Sequence, residues 1–305
     1  MNAAIDIGSP LHFQGLSVFP LFAELAPVEY QLASAAIPAG LVTVEEISET
    51  GSVPELMVEN NGDHPVLFLE GEQLVGAKQN RILNTSVLVP AHRKIRIPVS
   101  CVEQRRWSYR SRRFRPGEAS SPSSLRLILS RSVTQSLCVR GEPAADQGRI
   151  WAAVQSQQQS LGVQSPTRAY SDTVERHRTR LAEFQEHLPY VAGASGLAVA
   201  VNGSVVAVDI FDKPATCEQV WAKMLNGHAI DALQSSPTNP PPDVEVVRQF
   251  IQALENTAWR PVPSAGEGEA FRLETEHGTC GSKLMLHGSL VHASVLADAT
   301  DTAAV

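Results

Sequence analysis

Between residues 41 and 103 the chain breaks into short segments rich in valine and leucine, each closed by a turn cluster. Segments 41–47, 54–59, 65–70, 86–90 and 94–103 read as strands, with Glu49-Thr50-Gly51-Ser52 and Asn60-Asn61-Gly62-Asp63 among the turns. Strands this short and this closely spaced point to a sandwich- or barrel-like lobe.

A Ser/Pro/Gly-rich stretch at 116–124 is expected to break the chain, and helical signals then take over. Ser171-Asp172 is expected to cap a helix carrying Val174, Leu181, Phe184 and Leu188. Thr216 and Gln219 have capping-box spacing ahead of Val220, Met224 and Leu225. Asp243 precedes Val246, Val247, Phe250, Ile251 and Leu254, a stripe of helical period. Two hairpins interrupt the helices. Asn202-Gly203, between 197–201 and 205–210, is the stronger turn signal, because both central residues must accept positive φ. His287-Gly288, between 283–286 and 290–296, is weaker. Residues 237–242 read as a stiff linker and 260–269 as a loop. The expectation is an α+β fold: a β-rich lobe over 1–115, an α+β lobe with two hairpins over 116–296, and a frayed tail over 297–305.

Of the 305 residues 43% are hydrophobic, enough for a sizeable core in one large domain or two packed lobes. The net charge of −7 argues against a general nucleic-acid binder without excluding a local basic site. Met1 to Pro10 has no Lys or Arg and no apolar stretch, so it does not read as a secretory signal. No run of about 18 apolar residues exists to cross a membrane. Cys101, Cys138, Cys217 and Cys280 are scattered without a CxxC pair, which suits free thiols in the cytoplasm. The nine histidines form no HxH or HExxH pattern, so no metal is expected, and the glycines around Gly76 form no phosphate-binding or dinucleotide fingerprint. No cofactor is named by these residues, and a homodimer is compatible with them.

The chemistry-bearing stretch is VLFLEGEQLVGAKQNRILN, residues 66–84. An apolar strand runs into Glu70, Gly71 and Glu72, then through Gly76 into Lys78, Gln79, Asn80 and Arg81. Both faces of the strand are apolar, so it is expected to be buried with its carboxylates at the end, where sites are commonly assembled. Ile95, Ile97, Val99, Cys101 and Glu103 share one face of a second strand. A carboxylate there must find a cation or shift its pKa upward, and Arg81, Arg105 and Arg106 are the candidates. Two readings stay open: a structural ion pair, or a Glu/Asn/Arg site gripping a polar ligand, with Gln79, Asn80 and Asn84 supplying donors and acceptors. Next comes RRWSYRSRRFR, residues 105–115, in which guanidinium groups suit phosphate and Trp107 suits stacking; the plain alternative is a solvated loop. Cys101 has cationic neighbours, and His287 or His292 could serve as its base, but a cysteine on an apolar stripe is usually a buried small hydrophobe.

The strings LEGEQLVGAKQNRILN and IPVSCVEQRRW, with GLSVFPLF at 15–22, QGRIWAAV at 147–154 and VNGSVVAVDIF at 201–211, resemble the ARG-and-rhodanese-phosphatase-associated protein family, a bacterial family named for its gene neighbourhood. The likeness spans about 15 to 296. Its neighbours, ADP-ribosylglycohydrolases and rhodanese- or phosphatase-like proteins, imply a link to ADP-ribose or related nucleotides without implying a reaction. The polar set carried over is Glu70, Glu72, Gln79, Asn80, Arg81, Asn84, Cys101, Glu103 and Trp107; the arginine run is richer than the family pattern. The resulting expectation is binding or processing of a phosphorylated nucleoside or ADP-ribose-like molecule, a small anionic or nucleotide-like ligand. Glu72 or Glu103 would act as acid or base, Arg81 and Arg106 would hold phosphate, and Trp107 would stack. Cys101 is a weaker catalytic candidate. The alternative is a non-catalytic interaction or scaffold protein in which the same residues form an ion-pair network.

Overall fold

A computed structural model describes residues 4–298 except 235, 238 and 256. Strands β1 (Ile5–Ile7), β2 (Leu11–Phe13), β3 (Leu16–Ala23) and β4 (Gln31–Leu32) lead through the single turn of α1 (Ala33–Ala36) into β5 (Val42–Glu46) and β6 (Glu55–Asn60). Then come β7 (Val66–Phe68), β8 (Glu72–Gly76), β9 (Arg81–Leu83), β10 (Val87–Val89), β11 (Arg93–Cys101) and β12 (Phe114–Ser120). Helices α2 (Ser123–Arg140), α3 (Gln147–Ser160), α4 (Tyr170–Arg176) and α5 (Arg178–His187) follow. The chain continues through β13 (Gly196–Val201), β14 (Ser204–Phe211), α6 (Pro214–Ala232) and α7 (Val244–Glu255). It closes with β15 (Arg260–Val262), β16 (Glu269–Glu274), β17 (Cys280–Leu286) and β18 (Ser289–Leu296). The α+β expectation holds.

A nine-stranded antiparallel sheet runs β1-β3-β13-β14-β18-β17-β16-β15, with β2 also on β3. Its centre is apolar on both faces, as strands covered on both sides require. Leu197 and Val199 of β13 join Leu16 and Val18 of β3 against Val220, Trp221 and Met224 of α6. The alternate residues, Ala198 and Ala200 with Phe19 and Leu21, pack under Val247, Ile251 and Leu254 of α7. Burying each such α7 side chain is worth about 1.5–3 kcal/mol. A six-stranded sheet runs β12-β8-β9-β11-β6-β5, beside a small sheet β10-β7-β4. These enclose a separate core of Val44, Leu56, Val58, Phe68, Leu74 and Ile97.

Strand pairing crosses the expected 115/116 boundary, because β3 pairs β13 and β12 pairs β8. Short amino-terminal strands need partners, and the later hairpin supplies them. The stretch at 116–124 does not break the chain: it holds the end of β12, bulged between Pro116 and Ser120, and the start of α2. Ser171 lies inside α4, whose cap Ala169 offers no side-chain bond, and His177 divides the expected long helix into α4 and α5. Thr216 does not cap α6; Lys213 precedes Pro214 at the first helical position, and the Thr216 hydroxyl meets the Tyr30 hydroxyl at 2.7 Å. The expected loop at 260–269 begins with β15. Both hairpins form, with Asn202 and His287 at φ of 48° and 49°. Of the expected tail, Ala297 is buried and the residues from 299 onward lie outside the described ones.

Candidate functional site

Every residue from 66 to 84 is buried. The segment forms β7, β8 and β9 and their turns, so its polar groups look into the molecule. Its carboxylates and Glu103 take three different cations. Glu70 meets Arg272 of β16 at 3.1 Å, Glu72 lies 3.9 Å from Lys223 of α6, and Glu103 meets Arg106 at 2.6 Å. Glu72 and Glu103, the two candidate acid/base carboxylates, belong to separate ion pairs.

Around Glu103 every donor has an acceptor. Arg106 is bidentate, Nε to Oε1 at 2.8 Å and Nη2 to Oε2 at 2.6 Å. Its remaining protons go to the carbonyls of Ala77, Ser108 and Gly76. The Asn80 backbone N–H donates to Glu103 Oε2 at 3.1 Å, the Asn80 side-chain oxygen accepts the Gly76 N–H, and its Nδ2 donates to Ser171 Oγ at 3.0 Å. Gly76 is required here: at φ 132° a Cβ would approach the Arg113 carbonyl to 2.8 Å. Burial would raise the Glu103 carboxyl, but hydrogen bonds from Arg106, Thr167 and Asn80 outweigh it and hold the group below its ordinary value. Glu72 goes the other way: burial raises it, and Lys223 and the Leu69 N–H only partly offset that.

Beside this closed cluster lies an incomplete one. Arg81 is fully buried, and its Nη1 donates to the Gln79 carbonyl at 3.0 Å and to Gln79 Oε1 at 3.3 Å. Its Nε and Nη2 have no hydrogen-bond partner, nor has Glu46 Oε2, although Glu46 Oε1 stands 3.6 Å from Nη2. Trp107 roofs the group, its ring centre 5.6 Å from the guanidinium carbon. Lys78 Nζ lies 5.5 Å from the Trp107 ring and 5.0 Å from that of Tyr109, and donates to the Glu49 carbonyl. The turn at Gly51 packs on the same side, so tightly that a Cβ there would stand 3.0 Å from the Trp107 ring. Trp107 and Tyr109 are 45% and 46% exposed, so the buried cations lie just beneath two surface aromatic rings. Such orphaned charged donors are uncommon in native interiors.

Cys101 adjoins both clusters but is buried, and burial pushes its thiol up to about 11 despite Arg81. It is therefore protonated at neutral pH, a poor nucleophile. Asn84 is turned elsewhere: Nδ2 donates to the Pro143 carbonyl and Oδ1 accepts from Ser100. Of the arginine run, Arg106 alone is buried; the other five are exposed.

A third cluster was not expected. Arg126 of α2 grips Asp209 with two bonds, at 3.0 and 2.7 Å, and also reaches Ser294. His292 Nε2 lies 3.2 Å from Asp209 Oδ1, and its Nδ1 lies 2.9 Å from Ser86 Oγ, which accepts the Glu70 N–H. The order Ser–His–Asp is that of a hydrolase triad. Here the three are only 7%, 2% and 0% exposed, and the aspartate is already committed to Arg126. This chain locks the core; a substrate carbonyl has no approach to it. The separations of Ser86, Asp209 and His292 leave no trace in the sequence. Glu46, by contrast, ends the alternation Val42, Val44, Glu46, the same signal that singled out Glu103. Among the described residues no three His, Cys, Asp or Glu side chains are placed to hold a metal ion, and no helix is long and apolar enough to cross a membrane.

A family model described as the ARG and Rhodanese-Phosphatase-superfamily-associated Protein domain matches residues 4–296. No curated protein and no solved structure matches the chain.

Proposed function

The chain belongs to the ARG and Rhodanese-Phosphatase-superfamily-associated Protein family, and from that premise we propose that it binds a small phosphorylated, nucleotide-like ligand at the Trp107 face. The observation that carries this reading is Arg81, fully buried with two guanidinium nitrogens unbonded beneath a half-exposed indole. Leaving buried charged donors unmet is costly, and a phosphate oxygen is the acceptor that a guanidinium fork matches best. Lys78 adds a second cation under the same rings, and Trp107 and Tyr109 offer faces for a flat group. Glu103, held ionised by Arg106, orders the Asn80 turn and does not suit general acid work. Glu72 has the raised pKa that such work needs, but its cation is on α6.

Thermal shift with AMP, ADP-ribose and inorganic phosphate tests the proposal. At a ligand concentration of about 100 times Kd the expected stabilisation is about 2.7 kcal/mol, read as a higher Tm. Trp107→Ala, at an exposed position, should abolish the shift while leaving the unliganded Tm within a few degrees. No shift with any of the three at millimolar concentration would overturn it.

The second reading is a non-catalytic protein in which these ion pairs lock strands together. It is favoured by the complete satisfaction of Glu103 and Arg106 and by the burial of the whole 66–84 segment. It expects no ligand response, and a Glu103→Gln phenotype scaled only to protein abundance.

A further inference from the structure

The face of β8 opposite the buried Leu74 opens on a cleft that neither ion-pair cluster uses. Gln73 and Val75 line it from the strand, Ser171 and Val174 from α4, and Arg110 and Arg115 from the arginine run; its volume is about 180 Å³. Gln73 is 1% exposed, yet its Nε2 has no hydrogen-bond partner. A buried primary amide with an unbonded nitrogen on the wall of a cleft is a directional group without its matching edge. The backbone makes room for it. At Gly117 a Cβ would stand 2.5 Å from Gln73 Oε1 and 2.8 Å from its Cβ, so any side chain there would displace the amide. The bulge in β12 between Pro116 and Ser120 is what brings Gly117 over Gln73. Bulges are over-represented next to sites because they re-aim local groups in this way.

Size and chemistry limit the occupant. Complete ligand pockets start at about 300 Å³, so this cleft takes one flat base-sized group, not a whole nucleotide. An amide presents a donor beside an acceptor, the complement of the N6/N7 edge of adenine. Val75 and Val174 give apolar surface for the ring. Arg110 and Arg115, which form no ion pair among the described residues, offer guanidinium groups to a phosphate. Glu118, Asp172 and Glu175 also line the cleft and disfavour any anionic group away from the two arginines. The cleft adjoins the Trp107 face through the 76–80 turn. Ser171 accepts from Asn80, and the Arg110 N–H donates to the Ala77 carbonyl, one residue before Lys78.

We propose that this cleft is the base subsite of the ligand, with Gln73 reading the edge of an aminopurine while Arg110 and Arg115 add cationic charge on the side of the phosphate held at Arg81. The inference rests on the nucleotide-binding reading above and adds which base is held, and where. Calorimetry with AMP, GMP and ribose 5-phosphate tests it on the full chain. AMP should bind more tightly than GMP, and Gln73→Leu should weaken AMP about tenfold while leaving ribose 5-phosphate unchanged. Arg115→Ala, at an exposed position, should weaken AMP and ribose 5-phosphate alike. Should Gln73→Leu lower the Tm of the free protein, Gly117→Ala, which moves the amide without removing it, must give the same selective loss. Equal binding of all three ligands, indifferent to these changes, would overturn the base subsite and leave the phosphate site standing. Failure of all three to bind would overturn both.

Discussion

Arg81 and Arg106 are both buried, and they differ in how many of their protons are used. Arg106 spends all of its donors on Glu103 and neighbouring carbonyls, whereas Arg81 keeps two nitrogens unbonded. The first arrangement is structural and the second is open to a ligand. Glu103→Gln should therefore destabilise the fold, by about 3–5 kcal/mol if it behaves as removal of one partner of a buried pair, measured by urea unfolding at pH 7. The pH dependence follows from the sign of the shift. The folded carboxyl titrates below its unfolded value of about 4.3, so its contribution is complete above that value and is lost as pH falls through the depressed folded one. The variant should lack that part of the acid slope. If wild type and Glu103→Gln unfold with the same profile below pH 5, the pairing contributes nothing. At this scale the sequence was informative about Glu103, because a strand-end carboxylate on an apolar face must find a cation. Its choice of Arg106 over Arg81 or Arg105 depends on the turn between Ala77 and Asn80.

The elements most easily read were those whose period agrees with a single buried face. Helix α7 carries its apolar stripe on one side, and the Asn202-Gly203 hairpin declares itself in two residues. Helix α2 escaped because it is buried through Ser130, Thr134 and Arg126 as well as Leu129 and Val133, so polarity does not mark its faces. Strand β12 escaped because proline, glycine and serine signal a turn, while an edge position and a bulge let them stay in a sheet. Helix α6 crosses β12 at Gly227, where a Cβ would approach the carbonyl oxygens of Ser120 and Ser121 to 2.7 and 2.8 Å. Gly227→Ala should thus lower the Tm, even though alanine gains about 1 kcal/mol over glycine in helix propensity. An unchanged or raised Tm would mean that the helix can lift off the strand at no penalty.

Across the molecule, the buried Arg126–Asp209 and Glu70–Arg272 pairs join α2, β14 and β16 to the turn between β7 and β8. Burial would raise Asp209, but Arg126 and then His292 hold it well below the usual carboxylate range. Arg126→Met keeps much of the apolar volume and leaves that carboxylate without its cation. The expected loss is about 3–5 kcal/mol, and because Asp209 then regains its tendency to be protonated, stability should fall more steeply with rising pH than in the wild type. Stability equal to wild type at pH 7 would show that the pair does not hold the layers together.

The apolar alternation of each strand, the stripe of α7 and the two positive-φ turns are local properties, and residue order alone was enough to place them. Which carboxylate meets which cation, that β3 pairs with β13, and that Ser86, His292 and Asp209 touch are consequences of packing across separations of up to 206 residues. Charge pairing reaches only a few ångströms and has no period along the chain, so nothing short of the assembled layers could assign it.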